Sequence, residues 1–181
     1  MTTAQGIDRH PDQQTARPAE GEVGSCSTVV LGLGNTLLGD DGAGVATVGR
    51  LNHQTRDDVI WLDGGTLNFT LLAHLAADRN LIAVDAARLD APAGTVRVFV
   101  DGEMDAFLNS GRAGSIHEVS LAELLDMARL SGAFPRRRAL VAIQPAKVDW
   151  DAELSCEVAA GVEVAAEAVM KLLEAFSDDQ G

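Results

Sequence analysis

The chain has 181 residues, 46% of them hydrophobic, two cysteines and a formal net charge of -13. That length and apolar content suit one globular domain with a full core, and no apolar run is long enough to cross a bilayer. The charge argues against nucleic acid or an anionic membrane surface as partner, and two cysteines without CxxC spacing suggest neither a disulfide framework nor a zinc cluster.

Residues 1–25 open with MTTAQGIDRHPDQQTARPAE, which lacks the apolar core of a signal peptide. They are expected to be a disordered polar extension, ahead of a single domain over 26–177 and a frayed end at 178–181. A reducing, cytoplasmic setting fits the cysteine usage, with Cys26 and Cys156 as small, partly buried apolar residues.

Thr28-Val29-Val30-Leu31 is a short β-branched run that predicts a buried strand. Gly32, Gly34 and Gly39 allow sharp turns after it, and the adjacent carboxylates Asp40 and Asp41 follow. From Gly42 the spacing becomes helical, with Val45, Val48 and Leu51, and predicts a helix over roughly Gly42–Thr55. Two acids therefore stand where a strand hands over to a helix, at the edge where open α/β sheets bind ligands. Acids there also cap helices and oppose the helix dipole, which is the plainer alternative. Nucleotide binding is disfavoured. Leu37 replaces the third glycine of a dinucleotide fingerprint, no phosphate-loop lysine follows, and the two acids would repel phosphate.

Asp58–Leu62 predicts a second strand, turning at Asp63-Gly64-Gly65-Thr66, and a helix follows over about Asn68–Ala77 with Leu71, Leu72 and Leu75 inward. Leu81–Val84 is a third buried strand closed by Asp85. Thr95–Val100 alternates polar and apolar residues and predicts an edge strand, antiparallel to its neighbour. Asp101–Ser115 is polar and contains glycine, so a mobile loop is expected. It delivers Ile116 and His117 to a helix with a capping box at Ser120 and Glu123 and an inner face of Leu121, Leu124, Leu125 and Ala128. Arg136-Arg137-Arg138 is expected to be a solvated cluster, with an acidic partner surface as the alternative. A strand over Ala139–Ile143 ends at Gln144-Pro145. The last helix carries the stripe Val158, Val162, Ala165, Val169, Leu172 and Phe176. Strands alternating with helices predict a three-layer α/β/α sandwich around a mostly parallel five-stranded sheet.

Asp41, Asp85 and His117 fall where such a sheet gathers residues. Two carboxylates and an imidazole suit Ni, Zn, Mn or Fe, and three protein ligands leave positions open for water or substrate. His10 lies in the tail, and His53 and His74 lie in predicted helices, so they are weaker candidates. A carboxylate pair sharing a proton, as in aspartic-type peptide hydrolysis, is the competing chemistry.

The run Gly32-Leu33-Gly34-Asn35, Leu37, Asp40-Asp41-Gly42 and Gly44 resembles the opening of the hydrogenase maturation proteases. The resemblance continues through Asp63-Gly64-Gly65-Thr66, Val84-Asp85-Ala86, Ile116-His117 and Ile143-Gln144-Pro145, and spans about Thr28 to Phe176. It implies a cytoplasmic endopeptidase that removes a C-terminal extension from the large-subunit precursor of a [NiFe] hydrogenase once nickel is inserted. The family's metal-binding, and so catalytic, positions match Asp41, Asp85 and His117, the first being Glu in some members. Nickel is then expected to arrive with the precursor, and the enzyme to be a monomer with no nucleic-acid or membrane partner. A non-catalytic metal-binding or chaperone-like module for the precursor is the alternative function.

Overall fold

In the computed structural model, residues 28–66, 69–110, 116–150 and 153–178 are described. The expected extension over 1–25 and Cys26 lie outside them.

Five short runs of apolar residues form the sheet: β1 (Thr28–Leu33), β2 (Val59–Gly65), β3 (Asn80–Ala86), β4 (Val96–Val100) and β5 (Arg138–Ile143). Their order is β2-β1-β3-β5-β4, parallel throughout except for β4, which runs antiparallel to β5 at the edge. Strand alternation divides the core into two layers. Val30, Ile82, Val84, Val141 and Ile143 face α1 (Ala43–Leu51) and α4 (Cys156–Asp178). Val29, Leu31, Leu81, Ala83 and Leu140 face α2 (Gly102–Leu108), α3 (Ile116–Ser131) and a 3₁₀ turn at Phe69–His74. Central strands buried on both faces read as continuous apolar runs, which is why β1, β3 and β5 were legible in the sequence. The fold is the expected α/β/α sandwich.

Several local expectations are corrected. Asp101–Ser115 is not a loop throughout, since Gly102–Leu108 is helical. Met104 and Leu108, one turn apart, are buried, and Phe107 stacks on Phe99 of β4 with ring centroids 4.3 Å apart. Seven residues cannot hold a helix alone, so this one exists by packing. Residues 111–115 lie outside the described set. The helix expected over Asn68–Ala77 is a 3₁₀ turn, in which Leu71 is buried while Leu72 is only partly so. The helix expected over Gly42–Thr55 splits into a 3₁₀ turn at Asp40–Gly42 and then α1. α3 already begins at Ile116, so Ser120 and Glu123 lie inside it, past the capping position. In α4 it is Leu173 that completes the buried stripe, with Leu172 at its margin. Cys156 is exposed, not partly buried, because it starts α4 at the surface.

In the arginine run Arg136 is exposed as expected, but Arg137 and Arg138 are half-buried in ion pairs. Arg138 donates through Nε to Asp105 Oδ1 at 2.8 Å, and through its second arm to Oδ2, clamping α2 to the start of β5. Arg137 reaches Asp101 at 2.8 Å and lies 4.7 Å over the Phe176 ring. The Arg138 hydrogen bonds hold the Asp105 carboxyl below its ordinary 3.8. A depressed folded pKa means the clamp's stabilisation is complete above the unfolded carboxylate pKa and fades as pH falls through the lower folded value. Arg138→Ala should therefore lower stability by about 2–3 kcal/mol at pH 7, the scale of hydrogen bonds to charged groups. Urea melts from pH 7 down to below 3.8 would show that gap closing in acid; a gap independent of pH would mean that packing, not charge, holds α2.

Candidate active site

The sheet order decides where a site can form. From β1 the chain crosses to β2 on one side, then returns past β1 to β3 on the other. The carboxyl ends of β1 and β3 are therefore the topological switch point, where the two outgoing connections part and leave a crevice. β1 and β3 are neighbours, with Gly32 in register with Val84. Asp85 is the next residue along β3 and is 0% exposed. Asp41 stands in the 3₁₀ turn after β1 and is 4% exposed. Both expected carboxylates thus stand at one sheet edge, where the 3₁₀ turn that carries Asp41 packs against β3.

Close backbone packing keeps them there. A Cβ on Gly44, in the first turn of α1, would come within 2.1 Å of the Val84 carbonyl oxygen and 2.4 Å of that of Leu33. α1 therefore rests directly on the ends of β3 and β1, which only glycine permits. Gly34 has φ 122°, and a Cβ there would lie 1.8 Å from the Asp41 carbonyl oxygen. Its N–H donates to the Gly65 carbonyl at 2.9 Å, tying the Asp63–Thr66 turn to the same edge.

The two adjacent acids do different work. Gly42 occupies the N-cap of α1, so neither acid fills that position. Asp41 Oδ2 accepts the Asn35 backbone N–H at 2.8 Å, across the turn. Asp40, 1% exposed, turns instead to the segment between β5 and α4. It accepts N–H groups from Ala146 at 2.9 Å, Lys147 at 3.2 Å and Ser155 at 2.7 Å, and the Ser155 hydroxyl at 3.0 Å. Burial pushes its pKa up, but the four donors outweigh burial and hold it below 3.8. Asp40 is thus the clasp of the β5–α4 connection. The sequence showed the pair but not this division, because the partners lie more than a hundred residues away. Gln144 is a second clasp that the sequence did not reveal. Its side-chain carbonyl accepts the Leu89 N–H at 2.7 Å, fixing the segment that leaves Asp85.

His117 is the second residue of α3, four residues before fully buried Leu121, and not in a loop ahead of the helix. Its side chain lies outside the described residues. Among the described residues no three His, Cys, Asp or Glu side chains gather closely enough to hold a metal ion. The expected triad accordingly depends on His117. His53 and His74 precede the amino ends of β2 and β3, at the opposite edge from Asp41 and Asp85. No described helix is long and apolar enough to cross a membrane.

The family model described as hydrogenase maturation protease matches residues 45–172. The Escherichia coli K12 hydrogenase 2 maturation protease is 36% identical over 149 residues, covering 80% of this chain and 89% of the relative. The hydrogenase expression/formation protein HupM of Azotobacter chroococcum is 36% identical over 127 residues, and the match covers 69% of this chain and 60% of that protein. Among solved structures, the E. coli hydrogenase-maturating endopeptidase HybD superposes with a TM-score of 0.75 at 34% identity, covering 82% of this chain and 92% of that one.

Proposed function

The chain belongs to the hydrogenase maturation protease family, and we propose that it cuts a C-terminal extension from a nickel-loaded [NiFe] hydrogenase large-subunit precursor. The observation that supports this best is the pair of buried carboxylates, Asp41 and Asp85, at the switch-point crevice.

The donor set fits nickel brought in by the precursor. The oxygens of Asp41 and Asp85 are donors that nickel accepts, and His117 would supply a borderline nitrogen donor. Asp41, Asp85 and His117 would hold it. Held there, nickel would supply Lewis-acid chemistry, polarising the scissile carbonyl or acidifying a water. The protein's own share is positioning. The Asn35 amide fixes the Asp41 carboxylate, while the paired strand backbone fixes Asp85. A bond held in reactive geometry by such groups can gain several kcal/mol of barrier reduction. In the alternative route nickel is only the recognition handle, and a carboxylate at this edge takes the proton of the attacking water and returns it to the leaving amine. The hydrolysis consumes one water and yields a new carboxylate and a new amine.

The test is intact mass after incubation with nickel-loaded and nickel-free precursor. Shortening of the loaded precursor alone is the expected result. Equal shortening of both would overturn the role of nickel. Binding without any mass change would favour the chaperone-like module instead.

A further inference from the structure

Six large apolar side chains stand exposed among the described residues, and three of them, Leu37, Val148 and Trp150, sit on two loops beside the crevice. Leu37 belongs to the turn between β1 and Asp40, while Val148 and Trp150 belong to the connection from β5 to α4. The two loops are joined. Gly39 and Val148 form an antiparallel bridge, with Leu37 two residues before it and Trp150 two residues after it. Asp40 clasps the second loop at Ala146, Lys147 and Ser155. Each exposed tip is also ordered from below. The Asn35 side chain accepts the Leu37 N–H at 3.0 Å, and that of Asp149 accepts the Trp150 N–H at 2.8 Å. Trp150 is 78% exposed, Leu37 58% and Val148 52%.

Apolar side chains held out into water on an ordered platform mark an interaction surface, and Trp is enriched among the residues that dominate binding energy. Asn35 also ties the platform to the chemistry, since the residue that orders Leu37 through its side chain donates its N–H to Asp41. We infer that Leu37, Val148 and Trp150 form a docking shoulder that grips an apolar segment of the hydrogenase large-subunit precursor next to the bond being cut. This rests on the protease reading above. The occupant follows from continuity: Leu37 and Asp41 lie on one connection and share Asn35 as hydrogen-bond partner, so a precursor bond held at Asp41 brings its flanking segment beside this loop. The net charge of -13 disfavours an anionic lipid surface as the occupant.

Trp150→Ala tests it, because an exposed side chain can be removed without disturbing the core. The expected result is a KM for nickel-loaded precursor raised by about 10–100-fold with kcat and melting temperature unchanged. Leu130→Ala is the control. Leu130 is 90% exposed but lies near the end of α3, toward the opposite sheet edge, and should change nothing. Binding is read separately from cleavage by comparing precursor Kd for Asp85→Asn and for Asp85→Asn combined with Trp150→Ala. An unchanged Kd between these two overturns the shoulder, even if wild-type enzyme cleaves normally. A weakened Kd without cleavage by wild type would keep the shoulder and sink the protease reading. Trp150-dependent binding of phosphatidylserine vesicles with unchanged precursor Kd would assign the surface to a membrane and overturn the inference.

Discussion

Asp85→Asn is expected to lower precursor processing by about 10²–10⁴-fold, the range that a proton-transfer group supplies, while leaving the melting temperature within a few degrees. Asparagine keeps the size and shape of the side chain and removes its capacity to take up or release a proton, at a position that is 0% exposed. No cavity is opened, so the fold should not weaken as it would on truncating a packed apolar side chain. Activity and stability should therefore separate. Asp41→Asn and His117→Ala should show the same loss of processing. Timed mass spectrometry alongside thermal melts would check all three. Normal processing by the three variants would remove Asp41, Asp85 and His117 from the active site. A melting temperature that fell in step with activity would instead make Asp85 a structural residue.

Gly34→Ala should produce the largest loss of stability of any single methyl addition at the site, and Gly49→Ala the opposite sign. At Gly34 the new Cβ would sit 1.8 Å from the Asp41 carbonyl oxygen, on a backbone with φ 122°. The obstacle is backbone, so the turn itself must move, and Asp41 with it. Conformational strain and overpacking each cost about 1–3 kcal/mol, or about 2–6 together. At about 2–4 °C per kcal/mol in a chain of this size, the melting temperature should drop by roughly 5–20 °C. Gly49 lies inside α1, and a Cβ added there would meet nothing within 4 Å. Alanine at that position should add about 0.5–1 kcal/mol by reducing backbone entropy in the unfolded chain. Calorimetry of both variants decides the matter. A Gly34→Ala protein that melts with wild type would show that the β1–α1 turn has slack the packing does not suggest.

The acids illustrate how a site and its support differ in legibility. Asp41 and Asp85 could each be assigned to the carboxyl edge from the sequence, Asp85 because it closes a strand and Asp41 because it stands where a strand hands over to a helix, but their proximity could not. Asp40 has the same local signal as Asp41 but a different role, and no periodicity distinguishes them. Its partners Ala146, Lys147 and Ser155 are 106, 107 and 115 residues distant. The same holds for Arg138, whose neighbours in the chain say surface while Asp105, 33 residues upstream, makes it a clamp.

The sequence by itself determined the alternation of strands and helices, the three central strands, the α4 stripe, and two carboxylates next to strand ends. These follow from hydrophobic periodicity and turn residues, which act over a few positions and so are written locally. Only the tertiary structure decided the strand order β2-β1-β3-β5-β4, and with it the switch point that gathers Asp41 and Asp85. It also decided the helicity of Gly102–Leu108, which depends on Met104 and Leu108 being buried and on Phe107 meeting Phe99. The clasp by Asp40 and the platform under Leu37 and Trp150 belong to the same group. Each depends on contacts between separate elements, set by the packing of whole layers, which leave no local pattern to read.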